Sequence, residues 1–170
     1  MMSGTRFDPE RCAAAAETCG CLNIRKASRV VTQLFDEALE PIGLRSTQLA
    51  ILVTVAAHGP ASIAKLSREL VMDPSTLARN LQPLLNLELL DKTAGPTGNR
   101  KLISLSEKGI TTITDAIPLW EAAQKRLLQH FGSQQWPMFM SFLSQAVAAG
   151  QNARSETGGS IRPLHPVASA

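Results

Sequence analysis

The chain has 170 residues, 44% of them hydrophobic, with 11 Gly and 10 Pro, a size that suits one compact domain or a small domain with flanking helices and argues against a multidomain enzyme. Seventeen basic against 14 acidic residues leave a net charge of +3, which permits an anionic partner without demanding one. Aromatic residues are 4% of the chain and Tyr is absent, too few for a surface that stacks RNA bases or sugar rings.

The longest apolar run, Leu49 to Ala57, is broken by Thr54 and falls far short of the ~20 residues that span a bilayer. Met1 to Glu10 lacks a basic-then-apolar leader pattern, and three closely spaced cysteines make no disulfide framework. The expectation is a cytoplasmic protein with reduced thiols and no membrane partner. Residues 1–42 carry five basic and six acidic groups, residues 43–109 eight and five, and residues 110–170 four and three. The positive excess therefore sits in the middle.

In chain order, Ala27, Val31, Leu34, Ala38 and Ile42 recur at helical spacing, and Pro41 and Gly43 end that helix, which begins between Cys21 and Arg25. Ser46 is the expected cap of a helix through Ala57 that is apolar on nearly every side, stopped by His58-Gly59-Pro60. Ser62 opens a short helix over Ile63 to Leu70 with Lys65, Arg68 and Glu69 outward. Asp73 caps the next, with Pro74 in the first helical position, where its missing N–H costs nothing; it runs to about Leu87 with a bend at Pro83. Leu89–Thr93 and Lys101–Leu105 read as strands around a turn-rich tip. Ser106 caps a long helix to Phe131, and an amphipathic helix over Ser133 to Ala149 follows.

Two helices, a three-residue turn and a hairpin describe a helix-turn-helix with a wing. At roughly 100° per residue, Leu77, Leu81, Leu84 and Leu85 form one narrow stripe, whereas Ser75, Thr76, Arg79, Gln82 and Asn86 point away and Asn80 flanks them. A polar helix face is ordinarily only a solvated one. Here it is preceded by a helix at the right distance and followed by a hairpin with Arg100 and Lys101 at its tip. Arg grips guanine O6 and N7, Asn pairs with adenine, and hydroxyls near a helix N-terminus suit phosphate or base edges. Thr76, Arg79 and Asn80 are the expected base readers; Lys65, Ser75 and Lys101 are expected on phosphates, and Arg100 in a minor groove.

These segments resemble the MarR family of winged helix-turn-helix transcriptional regulators, through "ASRVVTQLFDEALEPIGLRSTQLAIL" (Ala27 to Leu52), "LSRELVMDPSTLARNLQPL" (Leu66 to Leu84) and "RKLISLSEKG" (Arg100 to Gly109). The resemblance runs from about Cys21 to Phe131 and implies a homodimer with interleaved terminal helices on a near-palindromic operator in double-stranded DNA. It divides the chain into an N-terminal extension (1–20), a dimerisation helix (21–42), a winged DNA-binding domain (43–109), dimerisation helices (110–149) and a disordered tail (150–170). The fold class is thus mainly α with a small β-hairpin wing. Two departures stand out. The family's wing Asp-x-Arg becomes Thr97-Gly98-Asn99-Arg100, and Glu88 stands where Gly is frequent, so that either the junction is tighter than usual or the helix ends at Asn86.

Cys12, Cys19 and Cys21 lie at the front. In an unbroken helix Cys19 and Cys21 point about 200° apart, which disfavours chelation unless Gly20 breaks the helix. Cys21 matches the reactive cysteine of the family's hydroperoxide-sensing branch, but that branch's two tyrosines are replaced by Arg25 and Phe35. Arg25 offers the thiol an electrostatic partner instead. Packing in a dimer interface competes with oxidant sensing by Cys19 and Cys21, and binding of arsenite or a soft metal stands behind both. The resemblance also implies a small-molecule cleft between winged domain and dimer helices, with Phe35 and Trp120 as lining residues. His58, His130 and His165 are mutually isolated, and no catalytic, metal or cofactor motif is present in the sequence. The expected function is that of a repressor released by a small aromatic inducer or by cysteine oxidation; the alternative is a winged-helix module that binds protein, and a thiol enzyme lacks a base near any Cys.

Overall fold

The computed structural model describes residues 7–95 and 101–156. Along them lie α1 (Pro9–Thr18), α2 (Gly20–Leu39), a 3-10 turn (Glu40–Ile42), α3 (Ser46–His58), β1 (Ala61–Ser62), α4 (Ile63–Glu69), α5 (Pro74–Asn86), β2 (Leu90–Ala94), β3 (Lys101–Leu105), α6 (Glu107–Phe131) and α7 (Gln135–Glu156). The fold is mainly helical with a small antiparallel wing.

The core belongs to the middle of the chain. Leu39, Leu52, Leu66, Leu77, Leu81, Leu84 and Ile103 are fully buried. Helix α3 runs through this core and buries Leu49, Ile51, Leu52 and Val55, as its all-round apolar composition requires. Helix α5 and strand β3 both pack on α3 and add Leu77, Leu81, Leu84 and Ile103 to this core.

The wing has three strands, in the order β1-β3-β2. Hairpin register places Leu90 opposite Leu105 and Ala94 opposite Lys101. The additional strand is the stretch just before α4: Ala61 and Ser62 pair with Ile103 and Leu102. Residues 96–100, including the expected wing residue Arg100, lie outside the described residues.

Helix ends show what the sequence encodes locally and what it leaves to the fold. Ser62, Asp73 and Ser106 cap α4, α5 and α6 through their side-chain oxygens, as local capping chemistry predicts. Ser46 does not cap α3. It is the first helical residue, and its N–H donates to the Asp36 carboxylate of α2 at 2.7 Å, while Gln48 accepts the Arg45 N–H at 2.9 Å. A carboxylate distant in sequence thus replaces the local hydroxyl.

Three further expectations are corrected. Residues 9–18, within the expected N-terminal extension, form α1 behind an Asp8 cap and Pro9, and the break before α2 falls not at Gly20 but at Cys19, whose sulfur accepts the Leu22 N–H at 3.4 Å, leaving Gly20 helical. Helix α5 ends at Asn86, yet Glu88, with φ +59°, is the left-handed residue of that junction. Helix α7 continues beyond Ala149 to Glu156, so the first part of the expected disordered tail is helical; residues 157–170 lie outside the described residues.

Candidate nucleic-acid interface

Helix α5 separates two faces. Leu77, Leu81 and Leu84 are buried, and Ser75, Arg79, Asn80, Gln82 and Asn86 are exposed, with Thr76 half-buried. At about 100° per residue, Ser75, Arg79, Gln82 and Asn86 form a ridge opposite the leucines, and Thr76 and Asn80 lie along one flank.

This ridge is ordered by its own hydrogen bonds. Asp73 accepts from the Ser75 N–H at 2.8 Å, from the Thr76 N–H at 3.3 Å and from the Ser75 hydroxyl. The Ser75 bonds foremost, with Thr76 and the Arg79 charge, outweigh desolvation and hold the Asp73 carboxyl below its usual range. Arg79 donates to the Thr76 hydroxyl at 3.2 Å, and Gln82 donates to the Asn86 carbonyl oxygen at 2.7 Å. Gln82 and Asn86, placed outward by the sequence but given no role, therefore form a fixed amide pair beside the expected readers. Their four-residue spacing is the signal that joins them.

The tip end of the hairpin brings two lysines near one another in topology. Ser62 pairs with Leu102, the neighbour of exposed Lys101, and caps the turn of α4 that holds half-buried Lys65. The other end of the wing is knotted to α6. Ser106 donates to the Glu88 carbonyl at 2.6 Å and accepts from the Gly109 N–H at 2.9 Å. Gly109 must lack a side chain, because a Cβ there would stand 2.0 Å from the Leu89 carbonyl oxygen.

Phe35 of α2 and Trp120 of α6, paired by expectation, line one groove of about 450 Å³ with Leu49, Val53, Ile117 and Ser46. Such a volume is within the range of small-molecule sites. Cys12, Cys19 and Cys21 are all exposed, so none is packed within the subunit. No group of His, Cys, Asp and Glu suited to a metal ion is found among the described residues. His58 meets Glu69 at 3.5 Å, a pairing the sequence reading did not make. No helix among the described residues is long and apolar enough to cross a membrane.

Known proteins share this architecture. A family model described as HVO_A0114 matches residues 43–111. The HTH-type transcriptional repressor NicR of Pseudomonas putida is 30% identical over 96 residues, which cover 56% of this chain and 61% of the repressor; the match thus spans about three-fifths of that relative's length. The M. tuberculosis transcriptional regulator MosR, solved in complex with DNA, superposes with a TM-score of 0.73 at 29% identity over 80% of this chain and 98% of its own. A mutant of E. coli MarR complexed with operator DNA shares the fold, with a TM-score of 0.71 at 16% identity over 78% of this chain and 96% of its own. These relatives are transcriptional regulators, not enzymes.

Proposed function

We propose that this chain is a winged helix-turn-helix regulator of the MarR type, a sequence-specific DNA-binding transcriptional repressor. It acts as a homodimer on a near-palindromic operator, with α5 in the major groove. The observation that carries this reading is the α5 ridge, a set of ordered, outward hydroxyl, guanidinium and amide groups on the far side of a fully buried leucine stripe. Arg79, Thr76 and Asn80 read base edges, and Lys65, Ser75 and Lys101 hold phosphates. Arg100 completes the wing as a minor-groove contact.

Dimerisation is supported by α7, which buries none of its described residues and leaves large apolar side chains, Met138, Met140, Phe142 and Val147, exposed around it. Release follows from a small aromatic inducer in the Phe35–Trp120 groove or from oxidation at Cys19 and Cys21. A hundredfold preference of an inducer for a non-binding conformation supplies ~2.7 kcal/mol, enough to vacate an operator.

Selection from random duplex DNA, followed by gel shifts over a salt series, tests the reading. A recurrent twofold site whose affinity falls steeply with salt is expected. Absence of binding even at low salt would leave a winged module that binds protein.

A further inference from the structure

Helix α2 turns its apolar face toward its own subunit and a charged one outward. Val31, Leu34, Phe35 and Ala38 are half-buried and Leu39 is buried, whereas Lys26, Arg29, Gln33, Glu37 and Glu40 are all exposed. At about 100° per residue these five fall within an arc of about 80°, one ridge along the outside of the helix. The ridge is divided by charge: cations occupy its N-terminal half and acids its C-terminal half, with Gln33 between them.

This division is unfavourable in an isolated subunit. Lys26 and Arg29, three residues apart, are like-charged neighbours, as are Glu37 and Glu40. The two acids also stand in the last turn and at the C-cap of α2, the end at which the helix dipole disfavours negative charge. None of the four has an ion-pair partner among the described residues. Asp36, on the flank of the ridge, is instead satisfied by Arg45 at 3.5 Å and by the Ser46 N–H at 2.7 Å. Gln33, Glu37 and Glu40 border an open hollow of about 530 Å³, with room for long side chains from outside.

The spacing identifies the occupant. Lys26 and Glu40 stand seven residues before and after Gln33, and Arg29 and Glu37 four before and after. A twofold axis through Gln33, perpendicular to α2, therefore exchanges cation for acid along the whole ridge, the self-complementarity that an isologous contact requires. Resting on the homodimer reading above, we propose that the α2 ridges of two copies lie antiparallel across that axis. Lys26 then meets the partner's Glu40, Arg29 meets the partner's Glu37, and the two Gln33 amides donate to and accept from each other. Helices about 8–10 Å apart are within reach of these side chains. The exposed apolar side chains of α7 supply affinity, and the ridge fixes register and rejects a parallel pairing, in which like charges meet.

Charge reversal in the full chain is the test. Lys26→Glu with Arg29→Glu makes the ridge wholly acidic, and Glu37→Lys with Glu40→Lys makes it wholly basic; all four positions are exposed, so the core is untouched. Each double variant alone should self-associate about tenfold or more weakly than wild type in sedimentation equilibrium, ~1.4 kcal/mol, and high salt should narrow that deficit by screening. Co-expressed with tags of different mass, the two should pair with each other in excess of the statistical half in native mass spectrometry, since every facing pair is then opposite in charge. The chain with all four reversals should dimerise as wild type does. In a Cys12→Ser, Cys19→Ser, Cys21→Ser background, Gln33→Cys should give a cross-linked dimer with copper phenanthroline, and Arg29→Cys should do so only when Glu37→Cys is also present.

Double variants that dimerise as tightly as wild type, a statistical mixture on co-expression, or no cross-link through Gln33→Cys in a dimeric preparation would overturn the ridge pairing. Sedimentation and gel shifts of the wild-type chain keep the two readings apart. A dimeric, operator-binding chain whose variants behave as wild type refutes the ridge alone, whereas a wild-type chain that stays monomeric refutes the homodimer reading and the ridge with it.

Discussion

Helix α5 has four large apolar residues and α7 has seven, yet it is the shorter set that is buried. Leu77, Leu81 and Leu84 of α5 disappear into the subunit's own core, whereas α7 leaves Phe142 57% and Met138 55% exposed. The winged half is closed in itself. In the proposed homodimer a second copy completes the terminal helices, so their contribution to stability would depend on protein concentration, and that of α5 would not.

The largest effect that separates the two comes from deleting apolar bulk on each side. Leu81→Ala should cost about 2–5 kcal/mol in denaturant unfolding at any protein concentration. Phe142→Ala should leave the unfolding of a dilute subunit within about 0.5 kcal/mol while weakening self-association measured by sedimentation. An equal, concentration-independent loss from both variants would mean that α7 is packed within its own subunit.

Gly109→Ala comes next. The new Cβ meets the Leu89 carbonyl, and relieving that overlap should cost about 1–3 kcal/mol of stability, read as a lower thermal midpoint. On the recognition face, Arg79→Ala should remove about 1–3 kcal/mol of operator affinity and relax base preference, while Lys65→Ala weakens all sequences alike and lowers the salt slope by about one. An Arg79 variant with unchanged sequence preference would displace that residue from base reading. Val71, in the turn before α5, sits at φ +51°, a conformation that costs a side chain-bearing residue about 1–2 kcal/mol. Val71→Gly should recover part of this as increased stability in denaturant unfolding, the remainder being offset by the greater freedom of Gly in the unfolded chain.

The smallest effect concerns acid. Burial pushes the Asp36 carboxyl up, but the hydrogen bonds from Ser46 and the charge and hydrogen bond of Arg45 outweigh it and hold the group below the usual carboxylate range. A depressed carboxylate stabilises the fold above the unfolded value and loses that contribution as pH falls through the folded one. Asp36→Asn should therefore flatten the acid limb of the stability profile and leave its shape above about pH 5 unchanged, as measured by denaturation across pH.

The sequence was most informative where structure is local. Asp73-Pro74, the leucine stripe of α5 and Ser106 lead directly to the helix starts and to the buried face. The same Asp-Pro signal stands at Asp8-Pro9, but the alanine-rich α1 that follows buries nothing, so apolar periodicity is silent there. The α3 start was misread because its cap is a carboxylate ten residues earlier, across a packing contact. The two residues of β1 are strand only because β3 is beside them. Within the recognition face, exposure could be read from the helical period, but the Gln82–Asn86 pairing needed side-chain geometry. The groove partners Phe35 and Trp120 are separated by the whole of the winged domain; only the resemblance joined them beforehand.

The Ser106 knot ties the first turn of α6 to the backbone at Glu88 and Leu89, just past the end of α5. Helix α6 has 25 residues, a rod of roughly 37 Å at ~1.5 Å per residue. Pivoted at that root, an inclination of about five degrees carries its distal end some ~3 Å. Small angular adjustments where the rod meets the wing thus become ångström-scale translation at the opposite extremity, and the reverse motion gears a coarse displacement there down to a fine one beside α5.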